Sequence, residues 1–167
     1  MKDALLQDTS GQGHDHAICM DKALWRAKER CGELGIKWTA LREQVFRQIA
    51  TSHKPVSAYD LIEHMAKDGK RLAPVSIYRI LEVLQQAGLV HRLESRNAFF
   101  ACMTAHHKAS EAISFICEDC GCVAELEAPV AFAAIGQAAR IAQFTPRSAM
   151  VEVSGLCCDC GHAGGAC

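Results

Sequence analysis

Apolar residues in the first half of the chain recur at helical spacing. From Met20 to Leu34 the residues Ala23, Ala27 and Cys31 share one face, with Met20, Leu24 and Trp25 beside them. Gly32 and Gly35 mark the end of that helix. Thr39 is placed to N-cap a second helix, Ala40 to Ser52, with an apolar stripe of Leu41, Val45, Phe46 and Ile49. Pro55 stops it, and Ser57 is placed to cap a third helix, Ala58 to Lys67, which turns Leu61, Ile62 and Met65 inward. Pro74-Val-Ser76 opens a fourth helix to about Ala87, with Ile77, Ile80, Leu81 and Leu84 on one face and Gly88 at its C-terminal end.

The period then changes. Leu89 to Glu94 and Ala98 to Cys102 read as two short strands around a turn at Ser95-Arg96-Asn97. Helices followed by a glycine and a β-hairpin outline a winged helix-turn-helix, although a plain helical bundle shares the same periodicity up to the hairpin. Beyond residue 105 the pattern is mixed. Ile113 to Ile116 and Val123 to Leu126 read as strands, Pro129 to Gln143 as an Ala-rich helix, and Ser148 to Leu156 as a further strand. The expected class is α+β. A polar tail at 1–19 precedes a winged-helix unit at 20–101, and an α/β unit follows at 102–167.

Composition adds a division of labour. The 167 residues carry a formal net charge of −1 and are 50% hydrophobic, enough for a folded core. That near-neutrality hides two halves. Residues 21–96 hold 14 Lys/Arg against 9 Asp/Glu, whereas residues 97–167 hold 3 against 7. The basic half is a candidate for nucleic acid, although such a charge is also common on ordinary solvated surface. No run of 18 apolar residues suggests a membrane span, and the polar start has no apolar segment of a signal peptide. The 10 cysteines, 8 of them at or after Cys102, are therefore expected reduced in a cytoplasm, where clustered thiols point to metal or redox chemistry.

The strongest chemical signal is Cys117-Glu-Asp-Cys120-Gly paired with Cys157-Cys-Asp-Cys160-Gly. Two residues between cysteines let a tight turn aim both sulfurs at one point, and two such knuckles close a tetrahedral four-cysteine shell around Zn²⁺. A single C-x-x-C also suits a thiol redox pair, but two copies with matching glycines favour structural zinc. Cys158 is a competing ligand by position, while the spacing favours Cys157 and Cys160. A second, mixed group combines His91, Cys102, the pair His106-His107 and Glu125, donors that suit an exchangeable zinc site. His14, His16 and Cys19 form a weaker set, read as surface. His53, His64 and His162 have no ligand-spaced partners, and Cys31, Cys122 and Cys167 have no assigned role.

The winged-helix pattern, Ser76-Ile-Tyr78-Arg79 opening the fourth helix, Gly88-Leu-Val-His91, and the two cysteine knuckles together resemble the ferric uptake regulator family over roughly residues 20–161. Ser57-Ala-Tyr-Asp-Leu61, His91 and Cys102 resemble its zinc uptake regulator branch. The resemblance implies a homodimeric, zinc-dependent transcriptional repressor of zinc uptake genes that binds double-stranded operator DNA, without a membrane segment, small-molecule substrate or catalysis. It implies two Zn²⁺ per subunit. One is structural, on Cys117, Cys120, Cys157 and Cys160. The other is regulatory, on His91, Cys102, one of His106 or His107, and Glu125.

The sequence also departs from the family pattern. Thr39-Ala-Leu-Arg42 retains only the first and last residues of the family's Thr-Pro-x-Arg, and Ser110 stands where a histidine is expected before the first knuckle. The DNA-facing residues implied are Tyr78, Arg79 and Ser76 at the start of the recognition helix, with Arg42, Thr39, Lys37 and Arg92 on the backbone. An iron- or peroxide-responsive member of the same family and a thiol redox enzyme are the alternatives.

Overall fold

The computed structural model describes residues 16–51, 54–102 and 111–161. Four helices and a small sheet form the first unit: α1 (His16–Glu33), α2 (Ala40–Ala50), α3 (Ala58–Lys67) and α4 (Pro74–Gln86), with strands β1 (Val56–Ser57), β2 (Val90–Leu93) and β3 (Ala98–Ala101). The strands lie antiparallel in the order β1-β3-β2.

The predicted caps operate. The Arg42 backbone N–H donates to Thr39 Oγ1 over 3.3 Å at the start of α2. Ser57 and Asp60 form a reciprocal capping box at the start of α3. Gly88, at φ 70°, takes the left-handed conformation after α4, and the Leu89 N–H returns to the Leu84 carbonyl. That reversal feeds the chain directly into β2.

The helical stripes meet in one core. Val45, Phe46 and Ile49 of α2, Leu61 and Met65 of α3, and Ile77, Leu81 and Leu84 of α4 are buried, together with Ala27 and Cys31 of α1. Each large apolar side chain so enclosed contributes about 1.5–3 kcal/mol.

Several boundaries differ from expectation. Helix α1 begins at His16 rather than Met20, since no glycine or proline interrupts 16–31. Trp25, expected beside the core, is 64% exposed because small Ala23 and Ala27 take the buried face. Helix α2 ends at Ala50, not Ser52. Ser57, read only as a cap, also pairs with Ala98, and Val56 before it with Phe99, as β1.

The second unit holds β4 (Ala112–Cys117), β5 (Val123–Glu127), α5 (Pro129–Ile141), β6 (Val151–Gly155) and a short α6 (Cys158–Gly161). Its sheet order is β5-β4-β6, with β4 antiparallel to β5 and parallel to β6. The expected helix to Gln143 stops at Ile141, and the expected strand from Ser148 starts at Val151. The one-turn α6 carries no periodicity by which to foresee it. Helix α5 has no buried residue, and Val130, Ile141 and Phe144 are largely exposed. Among the described residues no helix is long and apolar enough to cross a membrane.

Candidate metal centres and DNA-reading face

Parallel pairing of β4 with β6 brings the two knuckles together. Cys117 ends β4 opposite Gly155 of β6, so both chains leave the sheet at the same end. The Glu118 N–H bonds the Gly155 carbonyl over 2.8 Å, tying the two exits. Each knuckle then turns on its own hydrogen bonds. Gly121 N–H donates to the Cys117 carbonyl with φ 75°, and Gly161 N–H donates to the Cys157 carbonyl. Cys117, Cys120, Cys157 and Cys160 thereby place one sulfur each within 4.8 Å of the others. Cys120 Sγ and Cys157 Sγ lie 3.7 Å apart. This is the donor set of a closed tetrahedral zinc site.

Backbone amides bias these thiols. The Cys157 N–H points at Cys117 Sγ from 3.3 Å. That bond, with others from the Cys120 and Asp119 amides, brings the Cys117 thiol down to about 6. Cys160, facing the Cys157 sulfur, is pushed up to about 12. Cys158, the competing ligand by position, lies outside the set and is disulfide-bonded, which departs from the expectation that all the cysteines stay reduced. Cys122 is a fifth thiol beside the site, in hydrogen-bonding contact with Cys120 and Cys157 and raised chiefly by burial. Its adjacency to Cys120 was visible in the sequence, but nothing there assigned it.

The second donor set forms where the two units meet. Strand alternation puts His91 of β2 and Phe100 of β3 on the same face of the wing, and Cys102, two residues on, follows Phe100. That face meets β4 and β5, where Leu93 and Phe100 pack on Ile116 and Val123. Val90 and Phe99, on the opposite face, enter the helical core. Glu125 of β5, paired with Ser114, extends toward His91, and its Oε2 lies 3.6 Å from His91 Nε2. Cys102 is fixed by its N–H to the Leu89 carbonyl over 2.9 Å. His91, Cys102 and Glu125 offer one nitrogen, one sulfur and one oxygen within 4.8 Å. A borderline cation such as Zn²⁺ fits this mixture. His106 and His107 lie outside the described residues, as do His14, His53, Ser110, His162 and Cys167.

The expected DNA contacts fall into two groups. Tyr78 and Arg79 are exposed in the first two turns of α4, and Val75 beside them is 61% exposed. Ser76 is half-buried in the first turn. The flanking residues are more constrained. Thr39 Oγ1 accepts the α2 capping bond, Arg42 donates to the Lys37 carbonyl, and Arg92 is held in the wing turn by Asn97 Oδ1 at 2.9 Å and by Glu94. Tyr59, at the start of α3, is 69% exposed.

The ferric uptake regulator family model matches residues 33–154, most of the chain. The chain belongs to the ferric uptake regulator family. Its match runs from the end of α1, through the wing and first knuckle, into β6. A zinc uptake regulation protein of Escherichia coli (strain K12) is 29% identical over 137 residues, 82% of this chain and 80% of that protein. Among solved structures, a zinc uptake regulator complexed with zinc and DNA superposes with a TM-score of 0.78 at 28% identity, covering 84% of this chain and 93% of that one. Holo XcZur gives 0.75 at 34% identity, covering 84% and 98%.

Proposed function

We propose that this ferric uptake regulator family protein is a zinc-responsive, DNA-binding transcriptional repressor of zinc uptake genes. It acts as a cytoplasmic homodimer and catalyses no reaction. The observation that carries the reading is the meeting of His91, from the wing, and Cys102, at the hinge after β3, with Glu125, from the second sheet. Donors drawn from both units make their relative orientation depend on a metal. The names of the similar proteins support zinc as that metal over iron or a peroxide signal.

In this reading Cys117, Cys120, Cys157 and Cys160 hold a structural zinc, while His91, Cys102, Glu125 and one of His106 or His107 hold a regulatory one. Bound zinc supplies a divalent cross-link. The chain's own residues do the rest. Leu93 and Phe100 seat the wing on Ile116 and Val123, and His91 and Glu125 face each other across that seam. A wing held in one orientation fixes α4 relative to the dimer partner, so that two reading heads match two half-sites. Without the cross-link the competent orientation is a smaller fraction of the ensemble. The uncovered apolar side chains of α5 are suited to the dimer contact.

On DNA, Tyr78, Arg79 and Ser76 present the start of α4 to base edges and phosphates, with Lys37, Thr39, Arg42 and Arg92 along the backbone. The DNA-reading unit runs over 20–101 and the metal-binding, dimerising unit over 102–167, after the segment 1–19. A thiol redox enzyme is disfavoured because the C-x-x-C pairs face each other as one four-sulfur set.

Operator binding across buffered free Zn²⁺, with Fe²⁺ and Mn²⁺ as controls, tests the proposal. Activation by zinc alone, with about two zinc ions per chain, is expected. Activation by iron and not zinc, or binding indifferent to metal, overturns it.

A further inference from the structure

The wing is tied to the second unit at its tip as well as at its base. At the turn after β2, Glu152 of β6 spreads its carboxylate across two consecutive backbone amides. Oε1 accepts from the Glu94 N–H at 2.7 Å, and Oε2 from the Ser95 N–H at 3.2 Å. Arg96, the next residue, donates to the Cys117 carbonyl over 3.5 Å, and its guanidinium overlies Gly121 of the first knuckle. Burial pushes the Glu152 carboxyl up, but the Ser95 hydroxyl and the two amides outweigh it and hold the group below the usual carboxylate range. An ionised carboxylate on two adjacent N–H groups is a strong, directional tie.

This tie is separate from the metal donors. Glu152 is not in the group formed by His91, Cys102 and Glu125, although it lines the same cleft as His91 and Glu125. Strand β2 connects the two, since His91 lies three residues before Glu94 on the same hairpin. Closing the tip therefore carries His91 toward Glu125, and closing the metal site carries the turn toward Glu152. Two ties on one rigid hairpin are thermodynamically linked, so each strengthens the other by the same factor.

We propose that Glu152 is a positioning residue of the metal switch, clasping the wing tip to β6 and so setting the free zinc concentration at which the DNA-reading unit locks. This rests on the zinc-switch reading above. The clasp stabilises the closed orientation before metal arrives, which lowers the conformational cost borne by zinc binding. Arg96 extends the same clasp to the first knuckle through the Cys117 carbonyl.

The test uses the full-length dimer and two variants, E152Q and R96Q. Glutamine keeps the Glu152 shape but removes its charge. Zinc affinity of the regulatory site is measured by chelator competition without DNA, and operator binding by anisotropy across buffered zinc. The absorption of Co²⁺ at the regulatory site reports the ligand set. E152Q is expected to weaken zinc binding by about fivefold and to move the operator midpoint by the same factor. The saturating plateau and the Co²⁺ spectrum should stay as in the parent protein. R96Q should shift the midpoint in the same direction and carries the test alone if E152Q loses its dimer. A zinc-dependent parent with unshifted variants overturns the clasp alone. An altered Co²⁺ spectrum in E152Q also overturns it, because Glu152 would then be a ligand. Parent binding that ignores zinc overturns the switch reading and the clasp with it.

Discussion

Replacing Cys102 with serine isolates the proposed regulatory centre from the rest of the molecule. The change swaps sulfur for oxygen at a half-buried position and leaves the Cys102 N–H to Leu89 carbonyl bond intact, because that bond is backbone. The four sulfurs of the other centre do not include Cys102, so the knuckles and the β4–β6 pairing should persist. What is lost is one soft anionic donor. A four-ligand protein zinc site is worth about 10–16 kcal/mol, so one ligand accounts for about 3 kcal/mol, roughly a hundredfold in affinity. His91 and Glu125, 3.6 Å apart, remain as a weak pair. The zinc concentration for half-maximal operator binding should therefore rise about a hundredfold. Fluorescence anisotropy of a labelled operator duplex in chelator-buffered zinc measures this midpoint. Elemental analysis of the same samples should fall from about two zinc ions per chain to about one. A midpoint within about threefold of the parent, with both zinc ions retained, would refute the assignment of Cys102 and the cross-link that depends on it.

Three further outcomes follow from the geometry. Arg79→Ala should weaken operator binding by about 1–3 kcal/mol while leaving zinc content and dimerisation unchanged; equal affinity in the same anisotropy assay rejects Arg79 as a base or phosphate contact. Ser57→Ala removes the reciprocal cap of α3 and should lower unfolding free energy by about 1 kcal/mol, read from urea denaturation of the zinc-loaded dimer, with no change in stability arguing against the cap. In metal-free protein, backbone amides from Cys157, Cys120 and Asp119 hold the Cys117 thiol at about 6, below the ordinary 9.0. The thiolate-favouring contribution is therefore full above pH 9 and fades as pH falls through 6. Alkylation of Cys117, followed by mass spectrometry, should accordingly fall to half its plateau rate near pH 6, whereas a half-rate near pH 9 would contradict the amide arrangement.

The parts of this molecule legible in the sequence are those written in local chemistry. The caps at Thr39 and Ser57, the glycine after α4 and the stripes of α2 and α4 are each specified within a few residues, and the structure uses them as written. The two C-x-x-C-G knuckles were legible because a turn that gathers two thiols has its own spacing. That they face each other depends on β6 lying parallel to β4, a pairing with no local signature.

His91 and Cys102 were readable as donors by type. Their sharing of a face with Phe100, and the docking of that face on Ile116, were not. The Glu152 clasp was invisible because its partners are backbone amides, which every residue but proline provides. Trp25 was misjudged for a related reason. Periodicity locates a stripe but does not say which of two neighbouring residues faces inward.

The placement of β6 beside β4 also has a consequence for how the protein is made. The core of the helical unit is complete once β3 has been synthesised at Ala101. Cys117 and Cys120 then emerge as half a site, and 40 positions separate Cys117 from Cys157. At about 5–20 residues per second, the ribosome leaves those first two thiols without their partners for about 2–8 seconds. During that interval the central strand β4 has one open edge and a thiol pair able to take other metals or oxidants. The helical unit is thus completed first and the unit carrying the four clustered thiols last, so on the proposed reading starvation for zinc or oxidative stress during translation strikes the second unit.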